Sequence, residues 1–123
     1  MGGIIVVGVG AMGWNHARVC SELGLLDGVC DSDFESLKSV SEKFGVPGFT
    51  KIEEAIEECK PSGVIIATPT FSHFDLASLA IDSGVNVLVE KPMADSIERG
   101  RELIRKARER GVKLAIGHIE RFN

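Results

Sequence analysis

Three glycines, one carboxylate and one lysine are the residues of this chain whose types and spacing can do chemistry. The glycines stand as Gly8-x-Gly10-x-x-Gly13, after the apolar run Ile4-Ile5-Val6-Val7 and before a helix-compatible segment, Trp14 to Leu23, that Gly24 ends. An unbroken β-branched run has the composition of a strand buried on both faces. In a strand–turn–helix of this kind, Gly8 permits a tight turn, Gly10 lets a pyrophosphate approach the backbone, and Gly13 lets the helix pack closely on the strand. Ala11 and Met12 complete the loop. The helix start then offers unpaired N–H groups and the positive end of its dipole to the phosphates.

The glycine spacing alone also fits a turn that binds nothing. A second feature favours the phosphate reading. Asp31 ends the short apolar run Val29-Cys30 and lies 18 residues beyond Gly13. That is near the offset at which a Rossmann unit keeps the acid that hydrogen-bonds the adenosine ribose. A carboxylate there repels a 2′-phosphate, and the following Ser32 and Asp33 supply no cation to receive one. The sequence favours NAD over NADP. Asp33 reads as the cap of the next helix.

The elements that must position these residues follow in strict alternation. A second helix runs from Asp33 to Phe44, and Val46 to Thr50 leads into a short third strand. Ile52 to Cys59 forms a short amphipathic helix, and Val64-Ile65-Ile66-Ala67 is a fully apolar strand. Ser72, with Asp75 three residues on, has the chemistry of an N-cap for a helix that ends at Gly84. Val85 to Val89 is the fifth strand. Asp95, followed by Glu98, resembles a capping box for a long helix whose buried stripe reads Ile97, Gly100, Leu103, Ile104 and Ala107. Val112 to Gly117 is the sixth strand. The pattern predicts one α/β domain, residues 1–123, with a doubly wound parallel sheet of six strands in the order 3-2-1-4-5-6.

In that arrangement three polar groups share the rim at the strand ends. They are Thr68, Pro69, Thr70 and His73 after strand four, Glu90, Lys91 and Pro92 after strand five, and His118 and Arg121 after strand six. Lys91, read as a lysine at a buried edge, is the candidate catalytic group. It can hydrogen-bond a reacting hydroxyl and help its proton leave as hydride departs. Glu90-Lys91 also fits a plain surface pair, and His73 and His118 also fit structural histidines.

Composition excludes several other classes. The chain carries 14 basic and 18 acidic residues, a net charge of −4, which disfavours bulk nucleic-acid or anionic-membrane binding. The basic run from Arg99 to Arg110 is interleaved with Glu98, Glu102 and Glu109, as on a solvated helix face. No segment nears the roughly 20 apolar residues of a bilayer span, and the N-terminus lacks the pattern of a secretory signal. Cys20, Cys30 and Cys59 form no C-x-x-C pair and read as free thiols in a reducing cytoplasm. The histidines have no metal-ligand spacing. Neither a G-x-S-x-G elbow nor a G-K-[ST] phosphate loop occurs.

Taken together, Gly8-Val9-Gly10-Ala11-Met12-Gly13, Ala67-Thr68-Pro69-Thr70 with His73, Glu90-Lys91-Pro92, and Gly117-His118 with Arg121-Phe122-Asn123 resemble the N-terminal domain of the Gfo/Idh/MocA oxidoreductases. The resemblance covers essentially the whole chain, and Glu90-Lys91-Pro92 is its most specific part. It implies an NAD(P)-dependent dehydrogenase of sugars, polyols or sugar nucleotides. By position, Gly8, Gly10, Ala11, Met12 and Gly13 would hold the pyrophosphate and Asp31 the ribose. Thr68, Pro69, Thr70 and His73 would line the cofactor cleft. Glu90 and Lys91 would face the nicotinamide ribose and the substrate, with Lys91 touching the reacting hydroxyl. The ending Gly-His-Ile-Glu-Arg-Phe-Asn is similar to the sugar-nucleotide branch of the family.

Family members also carry a second α/β domain that supplies most of the substrate pocket and an acid/base histidine. Residues 1–123 are not expected to catalyse without it, or without a partner chain that carries it. Apolar surface near strand six is then expected to be exposed and to drive self-association into a homo-oligomer. A stand-alone dinucleotide-binding module without catalysis is the alternative.

Overall fold

In the computed structural model, residues 2–117 are described; His118 and Arg121, the third polar group of the rim, lie outside them. The strands are β1 (Ile4–Val7), β2 (Leu26–Cys30), β3 (Gly48–Phe49), β4 (Gly63–Ile66), β5 (Asn86–Glu90) and β6 (Leu114–Gly117). The helices are α1 (Ala11–Glu22), α2 (Phe34–Phe44), α3 (Ile52–Cys59), α4 (His73–Asp82) and α5 (Ile97–Arg110). One parallel sheet results, in the expected order β3-β2-β1-β4-β5-β6.

The central strands are apolar throughout because both of their faces are covered. Ile5 and Val7 of β1 and Val64 and Ile66 of β4 face a core made with α3, α4 and α5. Val6, Val29 and Ile65 point the other way and pack against Ala17 and Cys20 of α1 and Leu37 and Val40 of α2. Burying each such Val, Ile or Leu side chain contributes about 1.5–3 kcal/mol. The strand order reverses between β2-β1 and β4, so a crevice opens beyond their C-terminal ends.

Four local expectations need correction. The first helix starts at Ala11, earlier than Trp14, because the Trp14 N–H donates to the Gly10 carbonyl at 2.7 Å and winds the loop's end into the first turn. The cap of α5 is Ser96, not Asp95. Ser96 is extended (φ −154°, ψ 158°) and its Oγ accepts the Arg99 N–H at 3.1 Å. Asp95 instead pairs with the Arg99 guanidinium at 3.8 Å, and Glu98 closes no capping box. Ser72 does hold the position before α4, but a 3-10 turn, Thr70–Ser72, leads into it with helical backbone already set. Its hydroxyl therefore turns back, 2.8 Å from the Pro69 carbonyl oxygen and 2.6 Å from Thr68 Oγ1.

Finally, the buried stripe of α5 is Gly100, Leu103 and Ala107 alone. Ile97 is 75% exposed and Ile104 44%. With Pro92, Met93 and Ile116 of β6 they line an open cavity of about 600 Å³. The expected apolar surface near strand six is present there.

Candidate functional site: a cleft at the sheet's switch point

The glycine loop does what its spacing implies. Gly8 has φ +93°, and a Cβ on it would come within 2.8 Å of the Ala67 carbonyl, so the chain leaves β1 hard against the end of β4. A Cβ on Gly13 would sit 1.6 Å from the Gly8 carbonyl oxygen; only glycine lets α1 approach β1 this closely. At Gly10 the reverse holds. Nothing lies within 4 Å of its missing Cβ, so open space fronts the backbone. No side chain caps α1, and no acidic residue occupies its first turn. Its first N–H groups have no intrahelical partner and face that space with the positive end of the dipole behind them.

Asp31 follows the last residue of β2. Its Oδ2 accepts the Val9 N–H at 2.8 Å, and its Oδ1 accepts the Asp33 N–H at 2.9 Å. The same carboxylate that sequence assigns to a ribose thus also fastens the glycine loop to β2. Asp33 stands at the N-cap position of α2, where its carboxylate accepts from Ser36 Oγ at 2.7 Å.

Thr68-Pro69 divides the crevice into two connected hollows. One, about 480 Å³, lies on the side of Val7, Asp31, Ser32 and Thr50, with the exposed Phe71 at its mouth. The other, about 320 Å³, is lined by Met12, Thr70, His73, Glu90 and Lys91. Of the expected site residues, Met12, Thr68, Pro69, Thr70, His73, Glu90 and Lys91 line the second hollow, and Asp31, Thr68 and Pro69 the first. Open space fronts Gly10, Asp31 lines one hollow and Lys91 the other.

Lys91 differs from its expected setting. It is exposed rather than at a buried edge, and its ammonium makes no hydrogen bond or ion pair among the described residues. The bond to Pro92 is cis. Glu90 is held firmly. Its Oε2 lies 2.5 Å from Nε2 of His16, a side chain only 2% exposed. His73 is equally buried. Its Nδ1 lies 2.8 Å from the Pro92 carbonyl oxygen and its Nε2 2.7 Å from that of Thr68. Its polar atoms are spent on the backbone, so it forms wall in the cleft.

Sequence reasoning passed over His16. Helical spacing held the signal: Gly13, His16, Ala17 and Cys20 form the inward stripe of α1. Strand alternation held the other half, since Glu90 follows Leu88 onto the α1 face of β5. The Cys30 thiol, beside Asp31, is pushed up to about 12 by burial and then by Asp31, Glu53 and Glu54. It stays a neutral thiol at the edge of the crevice. Among the described residues no cluster could hold a metal ion, and no helix is long and apolar enough to cross a membrane.

A crevice of this shape at a strand-order reversal defines the class of dinucleotide-binding Rossmann domains. The family model described as "Oxidoreductase family, NAD-binding Rossmann fold" matches residues 3–118. The chain belongs to that family, Gfo/Idh/MocA.

Among its relatives, UDP-N-acetylglucosamine 3-dehydrogenase of Acidithiobacillus ferrooxidans is 37% identical over 118 residues, 96% of this chain and 37% of the relative. The solved structure of GenD2 from gentamicin A biosynthesis in complex with NAD is 38% identical, with TM-score 0.89 over 94% of this chain and 34% of that one. The WlbA dehydrogenase from Bordetella pertussis, in complex with NADH and UDP-GlcNAcA, is 26% identical with TM-score 0.87, over 93% of this chain and 36% of its own. The chain thus spans about a third of the length of the relatives it matches.

Proposed function

We propose that residues 1–123 are the NAD-binding unit of a dehydrogenase that oxidises a hydroxyl group of a sugar, polyol or sugar nucleotide. The observation that carries this reading is the placement of Lys91 and the glycine loop on one crevice, with Met12 and Lys91 lining the same hollow. The residues fit the cofactor: space at Gly10, an uncapped α1 and a carboxylate at the end of β2 each match one of its parts. NAD, when bound, supplies the hydride acceptor.

The N–H groups at the start of α1, with Gly10, Ala11 and Met12, bind the pyrophosphate. Asp31 keeps lone pairs for the adenosine ribose and repels a 2′-phosphate, which supports NAD over NADP. Thr68, Pro69 and Thr70 separate the adenosine and nicotinamide ends. Lys91, with Glu90 beside it, hydrogen-bonds the reacting hydroxyl oxygen through Nζ, and its charge stabilises the negative charge that develops there as hydride departs. The proton passes to a base that the family resemblance puts on the substrate domain.

A cytoplasmic location and a homo-oligomer, or a partner chain bearing the substrate domain, fit this reading. The test is NADH formation from a panel of polyols, hexoses and UDP-N-acetylhexosamines by the chain together with its substrate domain. One of these classes is expected to give turnover that Lys91→Ala lowers at least a hundredfold. Unchanged turnover in Lys91→Ala overturns the assignment.

A further inference from the structure

Among the described residues, the segment that presents Lys91 makes almost no backbone hydrogen bonds of its own. It leaves β5 at Glu90, turns at Lys91-Pro92, and reaches α5 only at Ile97. Two buried imidazoles meet it from opposite faces of the sheet. His16, on the inward stripe of α1, holds the Glu90 carboxylate at 2.5 Å. A carboxylate oxygen only accepts, so Nε2 is the donor. His73, the first residue of α4, faces the Pro92 carbonyl oxygen at 2.8 Å and that of Thr68 at 2.7 Å. Carbonyls also only accept, and a neutral imidazole carries one N–H, so the ring donates to one of these two oxygens and packs against the other, between the segment that follows Lys91 and the loop that parts the two hollows. Both rings are at most 2% exposed. Each meets a residue adjacent to the lysine.

We propose that His16 and His73 are positioning residues that clamp the Glu90–Lys91–Pro92 segment and so set where Lys91 meets the nicotinamide end of the cofactor. The proposal rests on the NAD-binding reading above. His16 adds a connection that an isolated structural histidine would not. It lies one turn beyond Gly13 on the helix whose N-terminus meets the pyrophosphate, so a shift of α1 is transmitted to Glu90 through one hydrogen bond.

The test is a pair of titrations on the full chain: ADP-ribose, which has the adenosine and pyrophosphate parts, and NADH, which adds the nicotinamide riboside. His16→Ala and His73→Ala are each expected to weaken NADH at least fivefold while ADP-ribose stays within twofold. His16→Gln, which keeps a donor toward Glu90, is expected to recover most of the loss. Acetylation of Lys91, followed by mass spectrometry, is expected to be slowed by NADH in the wild type and much less in the alanine variants.

A parallel fall in both ligands, or no fall in either, overturns the clamp and leaves the histidines as ordinary core residues. If an alanine variant fails to fold, His16→Phe and His73→Phe, which keep a ring of similar size and remove the donor, carry the same comparison. A His16→Gln variant that folds and binds NADH no better than wild-type chain binds ADP-ribose contradicts the clamp, because the donor is still present. Failure of the wild type to bind ADP-ribose would instead sink the NAD-binding reading itself.

Discussion

The turn after β1 and the turn after β5 lie on one rim and are held in opposite ways. The first is built from backbone. Gly8 turns with positive φ, Gly13 packs on the Gly8 carbonyl, and the Val9 N–H reaches Asp31. The second is built from side chains that come from far along the chain, His16 from α1 and His73 from α4. The difference suits what each must do. A phosphate cradle needs exposed N–H groups and empty space, which glycine supplies. On the proposed reading, a lysine that meets a substrate must be aimed, and the buried hydrogen bonds to Glu90 and Pro92 would aim it.

Substitutions within the first turn should break this contrast most visibly. Gly13→Ala places a methyl group against the Gly8 carbonyl and is expected to cost about 3 kcal/mol or more, read as a lower urea midpoint. Gly10→Ala adds the same methyl group into open space. It should leave stability within about 1 kcal/mol of wild type and yet weaken NAD at least tenfold. Equal stability of the two variants would mean that the loop does not pack as described.

Asp31→Ala comes next. It removes the acceptor of the buried Val9 N–H, with an expected loss of about 1–3 kcal/mol in thermal or urea unfolding, alongside weaker NAD binding. Asp31→Asn keeps one acceptor oxygen and should lose less. An unchanged unfolding curve for Asp31→Ala would leave the carboxylate with the ribose role alone. Ser96→Ala, at the cap of α5 and the far end of the segment that follows Lys91, should cost about 1 kcal/mol with cofactor affinity untouched. Weaker NAD binding in that variant would show that α5 also supports the Lys91 segment.

The smallest effect at neutral pH comes from Cys30. Its thiol is raised from an ordinary value near 9 to about 12 in the folded chain. An acid raised on folding keeps its proton in the native state after the unfolded chain has lost its own. Its contribution to stability is therefore full below about pH 9 and is lost as pH rises toward about 12. Cys30→Ala should flatten that part of the stability profile. Identical profiles for variant and wild type would show that Cys30 does not titrate in this window.

Much of the fold was legible because the signals were local. Apolar runs gave the strands, Gly24 and Gly84 marked helix ends, and alternation gave the sheet order. The first turn was legible for the same reason, since glycine spacing writes backbone geometry directly into sequence. What escaped depends on partners that local pattern does not name. Asp95 and Ser96 are both good caps, and the choice goes with the tertiary packing of Leu103 and Ala107 in the core shared with α4. Ile97 and Ile104 share the apolar character of that stripe, yet they face the open cavity beside β6. His16 and Glu90 are 74 residues apart, so their pairing appears only when two periodicities are set against one another.

The central claim is that the open space at Gly10, before the start of α1, is where the pyrophosphate of NAD binds. Calorimetric titration of NAD into the wild-type chain and into Gly10→Val, with the melting temperature of each recorded, tests it most directly. One NAD per wild-type chain, lost in a variant that melts as wild type does, is the expected result. Undiminished binding in Gly10→Val would contradict it.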